Sequence, residues 1–368
     1  MKKLYYFIIP ALLLGSCQSD PTLETESSPL VRTKVTELQY AQTDKIDVEA
    51  LNIISPYKFV KKGNLYAFLT PSSAYRFAIY DSENGTVTRL VPAGRNEGEG
   101  IGEMHFRDKG EGMYFISMNL NGDIVSAFDF GTKKFVEINL NEYATPGYQP
   151  TFTSLTDNNK TPIGAIRIGD RLLSTGVYTQ GRYCISQASG DDTYSVSYPA
   201  CADPTLTDTL KSAFYASNTL AVKPTLERLA CANMQTGCLD ICEINGNELT
   251  RVNEVHLTPA KVKFNRHRPK GRGLVHPVSY SKYNIFGFCD LAVSDDYIYA
   301  LYSGRTLKQH NLDVDKGKTI LVFDWNGSHV RTYRLENACS SISYSAEENT
   351  IYALSQENNH SEIITLHL

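Results

Sequence analysis

Short runs of apolar and aromatic residues alternate with polar turns along most of the chain. Such runs occur at residues 65–69, 77–80, 114–117, 298–302 and 351–354, and Asn-Gly pairs follow at 84–85, 121–122, 245–246 and 326–327. Strand formers of this length, separated by Asn-Gly turns, are typical of antiparallel hairpins. After the N-terminus only residues 207–216 have a pattern compatible with a short helix. The pattern therefore predicts an all-β protein.

The strands recur as a repeated unit. Residues 291–335 hold four predicted strands, and hairpins of the same kind occur at 77–90, 125–140, 183–198 and 239–255. Six units result. One reference position was chosen in each unit: Asp81, Asp129, Gln187, Asn245, Asp324 and Thr365. Four-stranded repeats of roughly 40–50 residues with irregular insertions predict a six-bladed β-propeller.

The last unit, which ends with residues 361–368, lacks a fourth strand of its own. An open edge strand would leave backbone groups unpaired and would invite aggregation. The segment 35–40 (VTELQY) precedes the first complete unit and has the composition of a strand. We therefore expect this N-terminal strand to pair with residues 361–368 and to close the ring.

The N-terminus has the features of an export signal. Lys2 and Lys3 precede an apolar run at residues 4–14, which is shorter than the about 20 residues that span a bilayer and typical of a signal peptide. The sequence Leu-Gly-Ser-Cys at 14–17 resembles a bacterial lipobox, which implies cleavage after residue 16 and acylation of Cys17. An ordinary secretory signal with a chance cysteine is the alternative.

Residues 17–34 are rich in Ser, Thr, Glu and Pro and show no apolar period. They are interpreted as a flexible acidic tether that connects a lipid anchor to a propeller of residues 35–368. Two or more acyl chains would hold the protein stably on a membrane. By analogy with such lipoproteins, and because Gln18 follows Cys17, we expect an outer membrane lipoprotein on either the periplasmic or the surface side.

The overall charge excludes one class of partner. The 368 residues carry a formal net charge of −4, and removal of residues 1–16 would remove two lysines and leave −6. A chain of this sign does not attract nucleic acid or an anionic membrane surface. With 42% hydrophobic and 21% charged residues the chain is globular rather than disordered.

A family resemblance is clearest in the last 85 residues or so. Residues 290–305 (DLAVSDDYIYALYSGR) and 320–327 (ILVFDWNG) resemble the C-terminal part of the TolB-like six-bladed propeller lipoproteins of Gram-negative bacteria. Residues 226–247 resemble the preceding blade, and 94–99 (GRNEGE) approximates a glycine-rich segment after the first blade. The resemblance implies the propeller fold and an envelope location, but no catalytic residues.

Long connections point to one face of such a propeller. The segments 91–102, 141–150, 199–217 and 258–287 are interpreted as links between blades, and 304–318 as a link within a blade. These connections would emerge on the same side, where scaffold proteins usually place recognition. Neutral insertions, which cost little entropy, are the alternative. The candidate ligand-binding residues on these loops are Arg95, Arg266, Arg268, Arg272, Tyr302 and Arg305.

The segment 261–272 has six cations in twelve residues. In an acidic protein it would form a local positive patch, and arginines are suited to bidentate contacts with acidic groups. This favours a sulfated or uronic-acid glycan, a lipopolysaccharide phosphate or an acidic protein as partner. A solvated loop without a ligand is the alternative.

Motifs for catalysis are not found. The sequence has no His-Glu-x-x-His, Gly-x-Ser-x-Gly or Walker motif, and the glycine-rich stretch 94–102 contains glutamates that would repel phosphate. Scattered histidines and turn aspartates give no metal site, and no cofactor is expected. Two carboxylates from different blades could nevertheless form a glycosidase site.

Besides Cys17 the chain has seven cysteines, an odd number for an oxidising compartment. A two-residue turn at Thr236-Gly237 would place Cys231 opposite Cys242, and a disulfide between them is one interpretation. A zinc site that includes Cys238 is a second, and buried free thiols are the favoured one.

These observations predict a lipid-anchored, monomeric binding or scaffold module of the cell envelope without intrinsic catalysis. Its loop-rich face would bind a glycan, a peptide or a protein. A cell-surface enzyme acting on polysaccharide, with carboxylates assembled across blades, is the alternative function.

Overall fold

The computed structural model describes residues 29–37, 45–100, 118–129, 132–155, 162–187, 192–199, 206–216, 218–264, 278–311, 313–357 and 360–368. The first described elements are a 3-10 helix, Pro29–Arg32, and two short strands, β1 (Val35–Glu37) and β2 (Ile46–Asp47). Cys17, the signal peptide and most of the tether lie outside the described residues. Residues 29–34 pack on the folded part of the chain, and Val31 is buried.

Within the described residues the strands form six antiparallel blades, which confirms the predicted propeller. Blade 1 contains β3 (Lys58–Lys62), β4 (Leu65–Leu69), β5 (Tyr75–Asp81) and β6 (Thr86–Pro92); blade 2 contains β7 (Met118–Asn121), β8 (Ile124–Asp129), β9 (Lys134–Asn139) and β10 (Thr151–Ser154). Blade 3 contains β11 (Pro162–Ile168), β12 (Arg171–Gly176), β13 (Tyr183–Ser186) and β14 (Asp192–Ser195); blade 4 contains β15 (Asn218–Val222), β16 (Arg228–Asn233), β17 (Cys238–Asn245) and β18 (Glu248–His256).

The connection from blade 4 to blade 5 carries a small hairpin of β19 (Val262–Phe264) and β20 (Val278–Tyr280). Blade 5 contains β21 (Phe288–Val293), β22 (Tyr297–Tyr302), β23 (Gly317–Asp324) and the first part of β24 (His329–Ser345). Blade 6 contains the last part of β24, then β25 (Thr350–Glu357) and β26 (His360–His367), with β2 at its outer edge. Two short helices lie in loops, α1 (Asp208–Phe214) and α2 (Leu307–His310). No helix in the described parts of the chain is long and apolar enough to cross a membrane.

Each blade packs against both of its neighbours, which explains why strands such as β22 are apolar at nearly every position. Ile298 and Ala300 of β22 contact blade 4, whereas Tyr299 and Leu301 contact the strands of blade 6. Buried clusters of this kind fill all six junctions between neighbouring blades of the described chain. The innermost strands, β3, β7, β11, β15, β21 and residues 339–345 of β24, surround the central axis.

The ring is closed by an N-terminal strand, as predicted, but by a different segment. Ile46 pairs with Ile363 and Asp47 with Glu362, whereas Val35 of the predicted segment 35–40 pairs in parallel with Thr332 at the edge of blade 5. The reason is burial, because Val48 is fully buried between blades 6 and 1 while Val35 remains 41% exposed. Residues 38–40 lie outside the described residues.

Chain topology defines two faces. The loop face carries the connections between blades and those between the second and third strands of each blade, and the turn face carries the other turns. The segment 141–150, predicted to link blades, instead joins β9 to β10 within blade 2 and therefore lies on the turn face. Blades 5 and 6 need no connecting loop because β24 runs through both.

Candidate functional site

The predicted contact residues are not brought together. Arg95 is exposed in a tight turn between blades 1 and 2, where the backbone N–H of Gly94 donates to the carbonyl of Gly100 over 2.9 Å. Tyr302 and Arg305 belong to blade 5, half a turn of the ring away from that junction. The other three predicted residues, Arg266, Arg268 and Arg272, lie outside the described residues.

Tyr302, predicted as a ligand contact on a loop, lies in the core and not on the surface. Its side chain is 2% exposed and packs edge-on against Phe288 in the core between blades 4 and 5, with the ring centroids 6.0 Å apart. As the last residue of β22, it continues the alternation that directs Ile298 and Ala300 into the same core. The sequence placed it beside a loop but did not determine which side of the blade it faces.

Arg305 organises the loop in which it lies. Its Nη1 donates to the backbone carbonyl of Asp313 over 2.9 Å and to the carboxylate Oδ2 of the same residue over 2.6 Å. Its side chain is 15% exposed. The guanidinium therefore bridges the two ends of the connection between β22 and β23 instead of projecting toward a partner.

A cationic surface does form on the loop face between blades 4 and 5. The backbone N–H of Lys308 donates to the carbonyl of Lys282 over 2.9 Å, and Phe286 donates to Arg305 over 2.9 Å, so that two loops form one surface. The ammonium groups of Lys282 and Lys308 lie 5.0 and 4.9 Å from the centroid of the Tyr283 ring. We call residues 281–286 and 304–311 of this surface the platform.

Two carboxylates stand next to the platform. Burial alone would raise the pKa of Asp313, but Lys316 and Arg305 hold that pKa below its usual value. Burial raises the pKa of Asp315, and the neighbouring charge of Asp313 adds to this effect. A pair of acids whose pKa values are moved in opposite directions is the arrangement that separates a proton donor from a carboxylate.

The cysteines are buried free thiols throughout the described residues, at positions 184, 231, 238, 242, 289 and 339. Cys231 lies opposite Asp240, and Cys242 opposite Leu229, so the predicted cross-strand pairing of Cys231 with Cys242 is corrected. The turn has four residues instead of two, because the Asn233 side chain accepts hydrogen bonds from the backbone of Gln235 and Thr236. No group of three potential metal ligands exists among the described residues.

A buried ionic cluster lies beside these thiols. The carboxylate of Asp240 is fully buried and accepts hydrogen bonds from Arg182 and Tyr183, both over 2.8 Å, and from Arg251 over 2.6 and 3.1 Å. Arg182 lies in the connection between β12 and β13, so the cluster joins blades 3 and 4. The side chains of Arg182 and Arg251 are 1% and 22% exposed.

A cavity of about 470 Å³ occupies the axis at the turn face. All six innermost strands contribute to its wall, together with the turns that follow several of them. Its residues include Lys61 and Lys62 of blade 1, Asn119 of blade 2, Arg167 of blade 3 and Glu347 of blade 6. The walls from blades 4 and 5 are mainly aliphatic. This cavity is the functional candidate that the sequence reasoning missed.

An ionic contact forms at the first residue of β3, at the end of the strand opposite to the cavity. Lys58 is 3% exposed, and its ammonium lies 3.3 Å from the carboxylate of Asp290 and 3.1 Å from the carbonyl of Ser340. Asp290 also accepts hydrogen bonds from Ser341 over 2.6 Å and from the backbone of Ile342 over 3.0 Å. Blades 1, 5 and 6 are thereby joined near the axis, toward the loop face.

Comparisons with known proteins agree with this architecture. A protein described as exported from Bacteroides fragilis is similar in structure, with a TM-score of 0.50, 10% identity, and coverage of 90% of this chain and 94% of its own. A luciferin-regenerating enzyme (TM-score 0.46, 9% identity, 88% and 95% covered) and the WD40 repeats of RRP9 (TM-score 0.45, 10% identity, 90% and 100% covered) are also similar. At these identities the likeness concerns the fold alone.

No curated protein sequence matches the chain. A family model does match, and it covers blades 1 to 5, the N-terminal strands and the inner strand of blade 6. The family resemblance of residues 290–305 and 320–327 is therefore confirmed. Because the match extends over residues 34–347, the chain belongs to the TolB-like 6-blade propeller-like family.

Proposed function

We propose that this protein is a binding module of the bacterial cell envelope that holds an anionic partner on the platform of its loop face. The observation that carries the proposal is the pair of ammonium groups, Lys282 and Lys308, at one ring. Because each lies about 5 Å from the centroid of Tyr283, the two charges are at most about 10 Å apart. This distance is about one Debye length at 0.1 M salt, so the two charges act on a partner together.

The charge balance around the platform favours anions. Lys282 has no carboxylate partner among the described residues, and Arg305 is compensated by Asp313. The segment 261–272, which has six cations, ends eight residues before the platform along the chain. A sulfated or uronic-acid glycan offers several anionic groups in a row and fits a surface with separated cations.

The proposal includes a lipid anchor at Cys17 and an outer membrane location. The anchor rests on the lipobox-like residues 14–17, and membership of the TolB-like family supports the envelope location. Expression in a Gram-negative host, followed by fractionation and mass spectrometry, tests it. Cys17→Ser should release the protein from the membrane fraction and remove the acyl mass, and a protein that remains soluble with Cys17 intact would argue against the anchor.

Binding is tested with the purified protein and immobilised heparin, with a polyuronate as the second anionic polymer. Exposed charge contacts contribute about 0.2–1 kcal/mol each, so Lys282→Ala with Lys308→Ala should weaken binding about two- to thirtyfold. Raising the salt concentration should weaken wild-type binding in the same direction. Lys134→Ala is the matched control, because Lys134 also lies over an aromatic ring, that of Phe152, but in blade 2. Equal binding by the double variant and the control would refute the platform as the site.

A polysaccharide-acting enzyme is the second candidate, and Asp313 and Asp315 favour it. Their pKa values are displaced in opposite directions beside the platform, as a glycosidase requires of its acid and its base or nucleophile. Reducing-sugar release from a panel of anionic polysaccharides measures this activity directly. Asp315→Asn should abolish release if the enzyme interpretation holds. Binding without any release by the wild type would leave the binding module as the function.

A further inference from the structure

Residues 29–37, which we call the strap, lie across the outer edge of blade 5. The strand β1 within the strap pairs in parallel with β24, and Val35 lies opposite Thr332. All three residues of β1 are exposed, whereas Val31 is 5% exposed and packs in the core between blades 4 and 5. Segments with few buried apolar contacts open more easily than the strands of a core. We therefore expect the strap to open before the blades do.

Hydrogen bonds attach the strap to residues 329–334 of β24. The backbone N–H of Thr332 donates to the carbonyl of Lys34, and the hydroxyl of Thr332 donates to the carbonyl of Leu30, both over 3.0 Å. The ammonium group of Lys34 donates to the carbonyl of His329 over 2.6 Å. Lys34 has a φ of +51°, in the left-handed region that residues other than glycine rarely adopt. Release of the strap would relieve this backbone strain.

The ring of His329 belongs to the same hydrogen-bond network. It packs edge-on against Phe323, and its Nε2 lies 2.9 Å from the hydroxyl oxygen of Thr332. That hydroxyl has one proton, and the proton is directed to the carbonyl of Leu30 because a carbonyl cannot donate. The Nε2 atom therefore carries a proton and donates to Thr332. In the neutral ring Nδ1 has no proton, so acid adds the second proton there and makes the ring a cation.

The surroundings of His329 oppose a charge on its ring. Burial lowers the pKa of His329 below its usual value, and the charge of Lys34 lowers this pKa further, while a hydrogen bond with the backbone of Arg331 acts in the opposite direction. The carboxylate of the adjacent Asp324 accepts two backbone N–H groups of its own turn, and Arg331 donates to the hydroxyl of Tyr333 over 3.0 Å. No carboxylate is among the groups of the described structure that act on the ring.

Docking of the strap and protonation of His329 therefore oppose each other. The docked strap holds the ammonium group of Lys34 beside the ring, so His329 takes up a proton more easily once the strap has left. A histidine whose pKa is lower in the docked state favours docking above its ordinary pKa of about 6.5, and this contribution is lost as the pH falls. Docking should be strongest at neutral pH and weaker below about pH 6.

We propose that the strap is an acid-released segment, docked on blade 5 while His329 is neutral and undocked when its ring becomes a cation. Residues 18–28 lie between Cys17 and the docked strap, and residues 18–45 lie between Cys17 and β2. At about 3.3–3.6 Å per residue, these spans reach at most roughly 40 Å and roughly 100 Å. Acid would thus more than double the reach of the propeller from the membrane. This consequence rests on the anchor of the proposed function, and the release itself does not.

Hydrogen–deuterium exchange with mass spectrometry tests the release on the purified full chain at pH 7.5 and pH 5.0, with labelling times scaled for the slower intrinsic exchange in acid. Protection of the strap and of residues 329–335 should fall at least about threefold at pH 5.0, whereas that of residues 298–302 should not change. Equal protection of the strap at both pH values would overturn the proposal. The Cys17→Ser chain should respond as the lipidated chain does, so failure of the anchor cannot hide the release.

His329→Gln removes the titration and keeps the hydrogen bond, because the glutamine amide donates to Thr332 but takes up no proton. The strap of this variant should be equally protected at both pH values. His367→Gln is the matched control, since Nδ1 of His367 also lies 3.0 Å from a threonine hydroxyl, that of Thr350, but in blade 6. It should keep the pH dependence of the wild type. A strap that still opens in acid in His329→Gln, or no longer does so in His367→Gln, would overturn the proposal.

Thr332→Val tests the network without altering a titratable group. It removes the hydroxyl between His329 and Leu30 and keeps the shape of the side chain, so the strap should be at least about threefold less protected already at pH 7.5. Thr36→Val, at an exposed position of β1, is the control and should be protected as the wild type is. Residues 298–302 report whether blade 5 stays folded. Unchanged protection of the strap in Thr332→Val would overturn the proposal.

Discussion

Replacing Asp240 with asparagine should lower the free energy of unfolding by about 3–5 kcal/mol, the cost of removing one partner of a buried ion pair. Asp240 is fully buried and receives hydrogen bonds from Arg182, Tyr183 and Arg251. Without the carboxylate, the Arg182 guanidinium would remain as a buried charge, since its side chain is only 1% exposed. The ion pair that joins blades 3 and 4 at this point would be lost.

Glu137→Gln provides the comparison. Glu137 pairs with Arg167, whose side chain is 27% exposed and can therefore be hydrated when its partner is lost. We expect this variant to lose about 1 kcal/mol or less, as partly exposed pairs do. The difference of at least about 2 kcal/mol between the two variants is the quantity that the buried geometry predicts.

Equilibrium unfolding in urea, monitored by tryptophan and tyrosine fluorescence, measures the loss of unfolding free energy in both variants. The comparison requires that the slope of this free energy against urea concentration is the same in the variants and the wild type. Adding Arg182→Met to Asp240→Asn should recover part of the stability, because the uncompensated cation is then removed. A loss below about 1 kcal/mol for Asp240→Asn, or one no larger than that of Glu137→Gln, would refute the reasoning.

The closing strand and the buried thiols give two further predictions. Val48→Asp should destabilise the protein by about 3 kcal/mol or more because it buries a charge at the last blade junction. Val35→Asp, at an exposed position of β1, should change the free energy of unfolding by no more than about 0.5 kcal/mol in the same urea assay. The reverse order would place closure at residues 35–40. Burial raises the pKa of Cys238 to about 12, so iodoacetamide at pH 8 should modify it only after unfolding, and a Cys231–Cys242 peptide in a non-reducing map would contradict the free thiols.

The strand pattern and the number of blades could be predicted because they depend on local features. Short apolar runs recur along the chain, Asn-Gly turns occur in four of the six blades, and each turn is closed by residues near in sequence. The segment that closes the ring is different. The choice between Val35 and Val48 depends on which side chain reaches the core between blades 6 and 1, and both segments have the same β-branched character.

The cavity could not be predicted for a related reason. Asn119, Arg167 and Glu347 come from blades 2, 3 and 6, and only the closed ring brings them to one opening. No spacing along the chain connects them, and each alone is typical of a strand end. The one signal in the sequence is the polar residue near the end of several inner strands, where an aliphatic residue would otherwise be expected.

Tyr302 shows the limit of reasoning from loop position. It ends β22 and precedes a long connection, so its place in the sequence suggested a surface contact. A residue at the end of the second strand of a blade nevertheless faces a neighbouring blade, because both sides of a blade are covered. Its burial to 2% exposure follows from the register of β22 with β21.

The lysines of the axial cavity and those of the platform lie in different surroundings. At the turn face, Lys61 has its carboxylate partner within the protein, so a ligand there gains from hydrogen bonding and apolar contact more than from charge. At the loop face, Lys282 shares an aromatic ring with Lys308, and added anions reduce the repulsion between the two. Salt should therefore weaken binding at the platform.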